Sequence, residues 1–197
     1  MPVRRSVARG LLKAARWRLV GDMPDTGIMV GAPHTSAWDW VAMVAISWAN
    51  SRRPQVLIKS SYFNGPAGAV LRHTGGIPLD RDNPGDTIRA LLAQAKKSDS
   101  FLLVIAAEGT RSKGEYWKPG FLRIALQTGL PVTMGFIDGP TRTMGMGPTF
   151  TPSGDVAADM DIVRAFYADK HGIHPQNRTE PRLREELTGF PESKQVS

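Results

Sequence analysis

The chain has 197 residues, 41% of them hydrophobic and 22% charged, which suits one folded domain with a sizeable core and excludes a disordered chain. It has no cysteine, which rules out disulfides, thiolate metal sites and cysteine nucleophiles. Its 25 basic and 18 acidic residues give a net charge of +7, suited to anionic partners such as nucleic acid, lipid headgroups or phosphorylated substrates.

No apolar run approaches the ~20 residues a membrane-spanning helix needs. The N-terminus lacks the continuous apolar core of a signal peptide, so a cytoplasmic location is expected. Residues 3–20 carry Arg4, Arg5, Arg9, Lys13, Arg16 and Arg18 before the first acid, Asp22. On a helical wheel Arg5, Arg9, Lys13 and Arg16 share one side. Val7, Ala8, Leu11, Leu12, Ala15 and Leu19 share the other, with Arg4 and Arg18 intruding as residues able to snorkel. With Trp17 on the flank, this segment is expected to lie in the interface of an anionic membrane, peripherally and on its inner face. A surface helix packed on the domain is the competing reading. The expected organisation is an N-terminal amphipathic helix over 1–20, a single domain over 21–175 and a C-terminal tail over 176–197.

Ile28–Ala32 reads as a short buried strand, and Ser36 onward as the start of a helix running to about Asn50. Between them lie His34 and, five positions later, Asp39. On an unbroken helix such a pair would face about 140° apart, so the two can meet only across a strand-to-helix corner. Open α/β sheets place their ligand crevices at that edge. A carboxylate on one ring nitrogen fixes the imidazole tautomer and leaves the other nitrogen free to take a proton from a hydroxyl. Two capping residues at a corner would give the same spacing.

Gln55–Lys59 is a second short strand with Lys59 at its end, and Tyr62–Arg72 is expected to be helical. Gly75 to Arg81 gives a turn and a brief strand ending in Asp80 and Arg81, which taken alone is an ordinary solvated strand end. Asp86–Lys97 has the period of an amphipathic helix. Phe101–Ala107 is continuously apolar, as in a central strand buried on both faces. It runs straight into Glu108-Gly109-Thr110-Arg111-Ser112. Glycine lets backbone N–H groups approach a ligand, and a guanidinium can grip phosphate oxygens, so this loop is a candidate anion site. A helix follows to Thr128, then a strand over residues 130–137 and a looser edge strand or loop over 141–152. Asp155–Lys170 reads as a last amphipathic helix with Ile162, Val163, Phe166 and Tyr167 inward. His171 and His174 have no carboxylate cluster beside them and read as surface residues, with no metal expected.

Taken together, His34-Thr-Ser-Ala-Trp-Asp39, Gly76-Ile-Pro-Leu-Asp80-Arg81, Glu108-Gly-Thr-Arg-Ser112 and Leu130-Pro131-Val132 resemble the four ordered motifs of the glycerolipid acyltransferases. The familiar members of that family are 1-acyl-sn-glycerol-3-phosphate acyltransferases. The resemblance spans residues 28–138. It implies an α/β domain around a mixed, mostly parallel sheet flanked by helices. It implies that His34, oriented by Asp39, is the general base that lets an acceptor hydroxyl attack an acyl-CoA or acyl-carrier-protein thioester. It further implies that Arg81, Glu108, Gly109, Thr110 and Arg111 shape the acceptor site, that Lys59 lies near the acceptor phosphate, and that Pro131 belongs to the acyl-donor side. No cofactor is implied beyond the thioester co-substrate.

The chain departs from the family's pattern at Pro78, where an aromatic or larger apolar residue is usual, and in having no long hydrophobic N-terminal helices. The expected function is therefore fatty acyl transfer to a lysophospholipid hydroxyl. The same chemistry on a non-phosphate lipid, glycolipid or amino-lipid acceptor is the alternative. An inactive lipid- or nucleic-acid-binding protein is the alternative of another class, although no nucleic-acid-binding signature is present.

Overall fold

The computed structural model describes residues 2–80, 82–98 and 100–190. Among these the elements run α1 (Pro2–Ala14), β1 (Arg18–Val20), β2 (Gly27–Ala32), α2 (Trp38–Ala49), β3 (Gln55–Lys59), α3 (Pro66–His73), β4 (Gly76–Leu79), α4 (Gly85–Lys97), β5 (Leu102–Ile105), α5 (Gly120–Thr128), β6 (Val132–Asp138), β7 (Thr143–Phe150) and α6 (Val156–Tyr167). The strands form one sheet in the order β1-β7-β6-β2-β5-β3-β4. Neighbours are parallel except for the β6–β7 hairpin. This is the expected α/β architecture with a mixed, mostly parallel sheet.

Two-residue alternation divides the core between the faces of the sheet. Ile28, Val30, Leu103, Ile105, Val132 and Met134 pack on one side against α5 and α6 residues such as Phe121, Leu122, Met160 and Val163. Met29, Leu102, Val104 and Met144 point the other way, onto Leu12 of α1 and Met43 and Ile46 of α2. Each fully buried side chain of this size contributes roughly 1.5–3 kcal/mol. Tyr167 reaches across the first layer, its hydroxyl 3.0 Å from the Val30 carbonyl oxygen and 2.8 Å from that of Gly135. Burial pushes its ionisation well above the ordinary range, so the phenol stays a neutral donor between β2 and β6.

The N-terminal helix ends earlier than the expected residue 20. Trp17 N–H donates to the Leu12 carbonyl at 2.8 Å and Arg16 N–H to the Lys13 carbonyl at 3.0 Å, closing a Schellman turn. Arg16 occupies the left-handed position of that turn (φ 59°), where glycine is usual and a side chain costs about 1 kcal/mol. The chain then reverses, and Arg18–Val20 pairs with Thr143–Gly145. Edge pairing satisfies these backbone groups, which a frayed last helical turn would leave to water. The apolar stripe read on the wheel is also divided: Ala8 and Leu12 are buried, while Val7 and Leu11 face outward.

Of residues 141–152, expected as a looser edge strand or loop, Thr143–Phe150 form a strand that pairs with β6 through one register shift and is covered by β1 over Thr143–Gly145. In α6, Val163 and Tyr167 are buried, but Ile162 is 44% exposed, one position off the buried stripe. Asp155 caps this helix through the N–H groups of Ala157 and Ala158. Residues 176–190, grouped at first with a tail, lie against the domain, with Thr179 and Leu183 buried. Among the described residues no helix is long and apolar enough to cross a membrane.

Gly145 marks the tightest backbone approach in the sheet. Its φ is +144°, and a Cβ there would lie 1.9 Å from the Val20 carbonyl oxygen. Gly145→Ala is expected to lower stability by about 2–3 kcal/mol. Gly10→Ala, on α1 with nothing within 4 Å of the new methyl, should raise it by ~0.5–1 kcal/mol. Urea unfolding of the two variants checks both signs.

Candidate active site

The chain leaves β2 through Pro33 and turns over His34–Ala37 before α2 begins, which is the corner the spacing of His34 and Asp39 requires. Asp39, in the first turn of α2, folds back over it. One carboxylate oxygen, Oδ2, accepts the Thr35 N–H at 2.8 Å and the Ser36 N–H at 2.9 Å, and lies 3.0 Å from His34 Nδ1. Two backbone donors on that oxygen fix the carboxylate, and the carboxylate fixes the ring. With Nδ1 as donor, Nε2 carries the lone pair and makes no hydrogen bond to the described residues. The His34 side chain is 28% exposed and the Asp39 side chain 8%, so the ring opens outward from a buried brace.

The next strand holds the backbone of the same corner. β5 lies beside β2 and ends just before Glu108, which is 2% exposed. Glu108 Oε1 accepts the His34 N–H at 2.6 Å, and Oε2 accepts the Thr179 N–H at 3.0 Å. Burial raises the pKa of this carboxyl, while the two backbone donors and the nearby imidazole pull it down. Glu108 was expected to shape the acceptor site. Its carboxylate is instead turned inward, and its geometry is that of a clamp on the peptide carrying His34.

Thr179 belongs to a strap, residues 171–179, that wraps the corner. Asp138, buried at the end of β6, accepts the His171 N–H at 2.8 Å and also the Thr141 hydroxyl of the hairpin turn. His174 N–H donates to Thr35 Oγ1 at 3.0 Å, and Asn177 Nδ2 lies 3.4 Å from the Thr35 carbonyl. Gly172 (φ +73°) allows the closest approach, since a Cβ there would be 2.7 Å from Thr35 Oγ1 and 3.1 Å from Pro33 Cβ. Sequence reading missed Thr35, Asp138 and Thr179 in this role. Thr35 sits inside the motif without chemistry of its own, and the Glu108–Thr179 contact spans 71 positions.

The other predicted residues divide by sheet edge. Gly109 adopts φ +69° in the turn after β5, where a Cβ would press on Lys118 Cγ at 2.9 Å. Thr110 Oγ1 accepts the Ser112 N–H at 3.3 Å. Arg111 reaches back to the segment after β3, donating to the Tyr62 hydroxyl at 2.8 Å with its guanidinium 5.7 Å from the ring centre. Lys59, exposed at the end of β3, has no ion-pair partner among the described residues. His34, Lys59 and the 108–111 loop thus share the C-terminal edge of three adjacent parallel strands. Arg81 lies outside the described residues.

Pro131 is at the opposite edge. It directly precedes β6, its carbonyl accepts the Ile28 N–H at 2.9 Å, and Val132 pairs with Ile28 while Phe136 pairs with Ala32. At ~3.3 Å per strand residue the start of β2 lies roughly 17 Å from its end, so Pro131 does not border the His34 corner. Pro131, which the resemblance assigns to the acyl-donor side, thus stands at the head of a strand on the edge away from His34. Among the described residues no group of three His, Cys, Asp or Glu side chains is arranged to hold a metal ion.

The family model described as acyltransferase matches residues 20–134. No curated protein matches the chain in sequence. Among solved structures, that of the 1-acyl-sn-glycerophosphate acyltransferase PlsC from Thermotoga maritima is similar, with a TM-score of 0.53 and 18% identity over 78% of this chain and 69% of that one. At that identity the likeness bears on the fold.

Glu108→Gln separates the clamp's charge from its shape. The raised pKa means that the folded protein keeps a proton that the unfolded chain has lost once pH passes about 4.5. The stability this supplies is complete below that pH and is lost as pH rises through the folded value. The Gln amide turns an N–H₂ toward one backbone donor, a pH-independent penalty of about 1–3 kcal/mol. Between about pH 4 and pH 8 the difference in Tm should therefore move in favour of Glu108→Gln as pH rises. A constant difference by calorimetry would show that the buried carboxyl does not titrate differently in the two states.

Proposed function

The chain belongs to the acyltransferase family, and on that premise we propose that it moves a fatty acyl group from acyl-CoA or acyl-carrier protein to the hydroxyl of a lysophospholipid such as 1-acyl-sn-glycerol-3-phosphate. The observation that carries this reading is the His34 ring, tied at Nδ1 to a carboxylate that two backbone N–H groups already hold. In the proposed reaction His34 Nε2 takes the proton of the acceptor hydroxyl as its oxygen attacks the thioester carbonyl carbon. Asp39 stabilises the imidazolium that forms. The tetrahedral intermediate collapses, the carbon–sulfur bond breaks, and the imidazolium returns its proton to the departing thiolate. Ester and free thiol are the products. No protein nucleophile is needed, and the thioester is already activated, so the reaction calls for no further cofactor.

The acceptor phosphate, in this reading, meets Lys59 and Arg111 on the same sheet edge as His34. Arg111 is held in place by Tyr62 with its remaining N–H groups available for bidentate contact. The acyl chains have apolar surface close by, since Trp38, one residue before Asp39, is 66% exposed and Val41 51%.

Membrane approach is part of the proposal. Val3, Val7 and Leu11 form an outward stripe on α1 at 73%, 47% and 65% exposure, and α1 carries Arg4, Arg5, Arg9 and Lys13. This is the pattern of a helix lying at a lipid surface, here packed on α2 by its other apolar face. The cytoplasmic leaflet, with its anionic lipids, is the proposed location.

Purified protein incubated with acyl-CoA or acyl-carrier protein and a panel of lysolipids, with products identified by mass, tests the substrate classes. His34→Ala should keep its fold and lose activity by ~10²–10⁴-fold. Wild-type turnover in that variant would refute the mechanism. Arg111→Ala should raise KM about tenfold or more for acceptors that bear a phosphate and little for those that do not. Equal effects on both would assign the site to non-phosphate acceptors.

A further inference from the structure

Away from the His34 corner, a groove of about 530 Å³ opens where α1 turns into β1. Arg9, Lys13, Arg16 and Arg18 line it together with Trp17 and one acid, Asp22. None of the four cations forms an ion pair with a described residue. Arg9 lies 3.4 Å from the Ala49 carbonyl and Arg18 3.3 Å from Thr143 Oγ1, both neutral acceptors. Elsewhere the fold does pair its arginines, as with Arg52 and Asp25, Arg123 and Glu185, and Arg164 with Asp161 and Glu186.

Four unpaired cations around one hollow repel each other, and the left-handed turn that brings Arg16 there is one that glycine would make without strain. A polyanion at the centre reverses the sign of that repulsion. Guanidinium groups converging from a helix end and a strand suit phosphate oxygens. Trp17 is half-buried at the rim, and tryptophan favours the level of lipid headgroups. The exposed stripe of Val3, Val7 and Leu11 lies on the helix that forms one wall.

We propose that this groove binds the phosphate of an anionic membrane lipid headgroup, so that the protein docks by a charge-selective contact separate from its catalytic site. The proposal rests on the reading of α1 as a membrane-surface helix and adds to it a defined headgroup site. Its consequence is selectivity for anionic lipid that does not depend on the acceptor being acylated.

The test is flotation of the full chain with phosphatidylcholine vesicles, with and without phosphatidylglycerol. Lys13→Gln/Arg16→Gly removes two groove charges and relieves the turn. It should bind anionic vesicles on the order of 25-fold more weakly than wild type. Its Tm should be no lower than that of wild type, because glycine suits the position. Lys96→Gln/Lys97→Gln, with the same net charge but altered at the end of α4, should bind nearly as wild type does. Turnover with detergent-dispersed substrates should be unchanged in both.

Equal losses in the two variants would overturn the groove in favour of a general field effect. Wild-type binding by the groove variant would overturn it while leaving the α1 reading in place. Val7→Asp/Leu11→Asp, with the groove intact, tests that reading separately: it should lose binding to every vesicle, and unchanged binding would overturn it. Wild-type protein that floats with no vesicle overturns both. Displacement from anionic vesicles by free CoA or inorganic phosphate, each added alone, would assign the groove to a soluble phosphate and overturn the lipid assignment.

Discussion

Everything at the candidate site depends on one buried carboxylate that holds two peptide N–H groups from distant parts of the chain. Glu108 takes the His34 N–H on one oxygen and the Thr179 N–H on the other, in surroundings that leave it 2% exposed. Losing either bond would strand a buried acceptor. The side-chain brace from Asp39 orients the imidazole, whereas Glu108 orients the peptide from which the imidazole projects. The general base proposed for this corner would need both, because a ring of correct tautomer on a mobile peptide loses the near-attack geometry that positioning supplies.

The sheet explains why these groups meet. β2 lies between β5 and β6, and their residues buried on both faces leave the backbone ends little freedom. Side chains placed just past the ends of adjacent parallel strands fall along one line, so His34, Lys59 and the 108–111 loop come to one edge without any element designed to gather them. The strap from α6 then closes this edge from the β6 side through Asp138, Gly172 and Thr35. Placement of the candidate site is thus a property of the rigid layer, with the loops supplying its side chains.

Much of this was legible in the chain itself. Apolar runs and their punctuation located β2, β3, β5 and β6, since a central strand buried on both faces leaves a continuous signal. The His34–Asp39 corner was legible because the spacing excludes a straight helix. What escaped had no local signal. Arg16 ends α1 in a conformation normally marked by glycine, so periodicity ran on to residue 20 where the chain had already become β1. Glu108 stood among residues that look ligand-binding, and its bracing geometry comes from buried contacts with segments 74 and 71 positions away. Motif order placed Pro131 in the series without recording that a strand's two ends face opposite edges, so its distance from His34 was not legible.

The reach of the strap has a temporal side. A chain emerging from the ribosome can assemble β2, β5 and β6 and bring Asp39 onto His34 before residue 179 has left the exit tunnel. The second ligand of Glu108 and the bond to Thr35 arrive only when the strap itself emerges. Nascent protein therefore carries the His34 corner without its strap until residues 171–179 have followed the sheet out, so the corner is closed only after the strands that position it have formed.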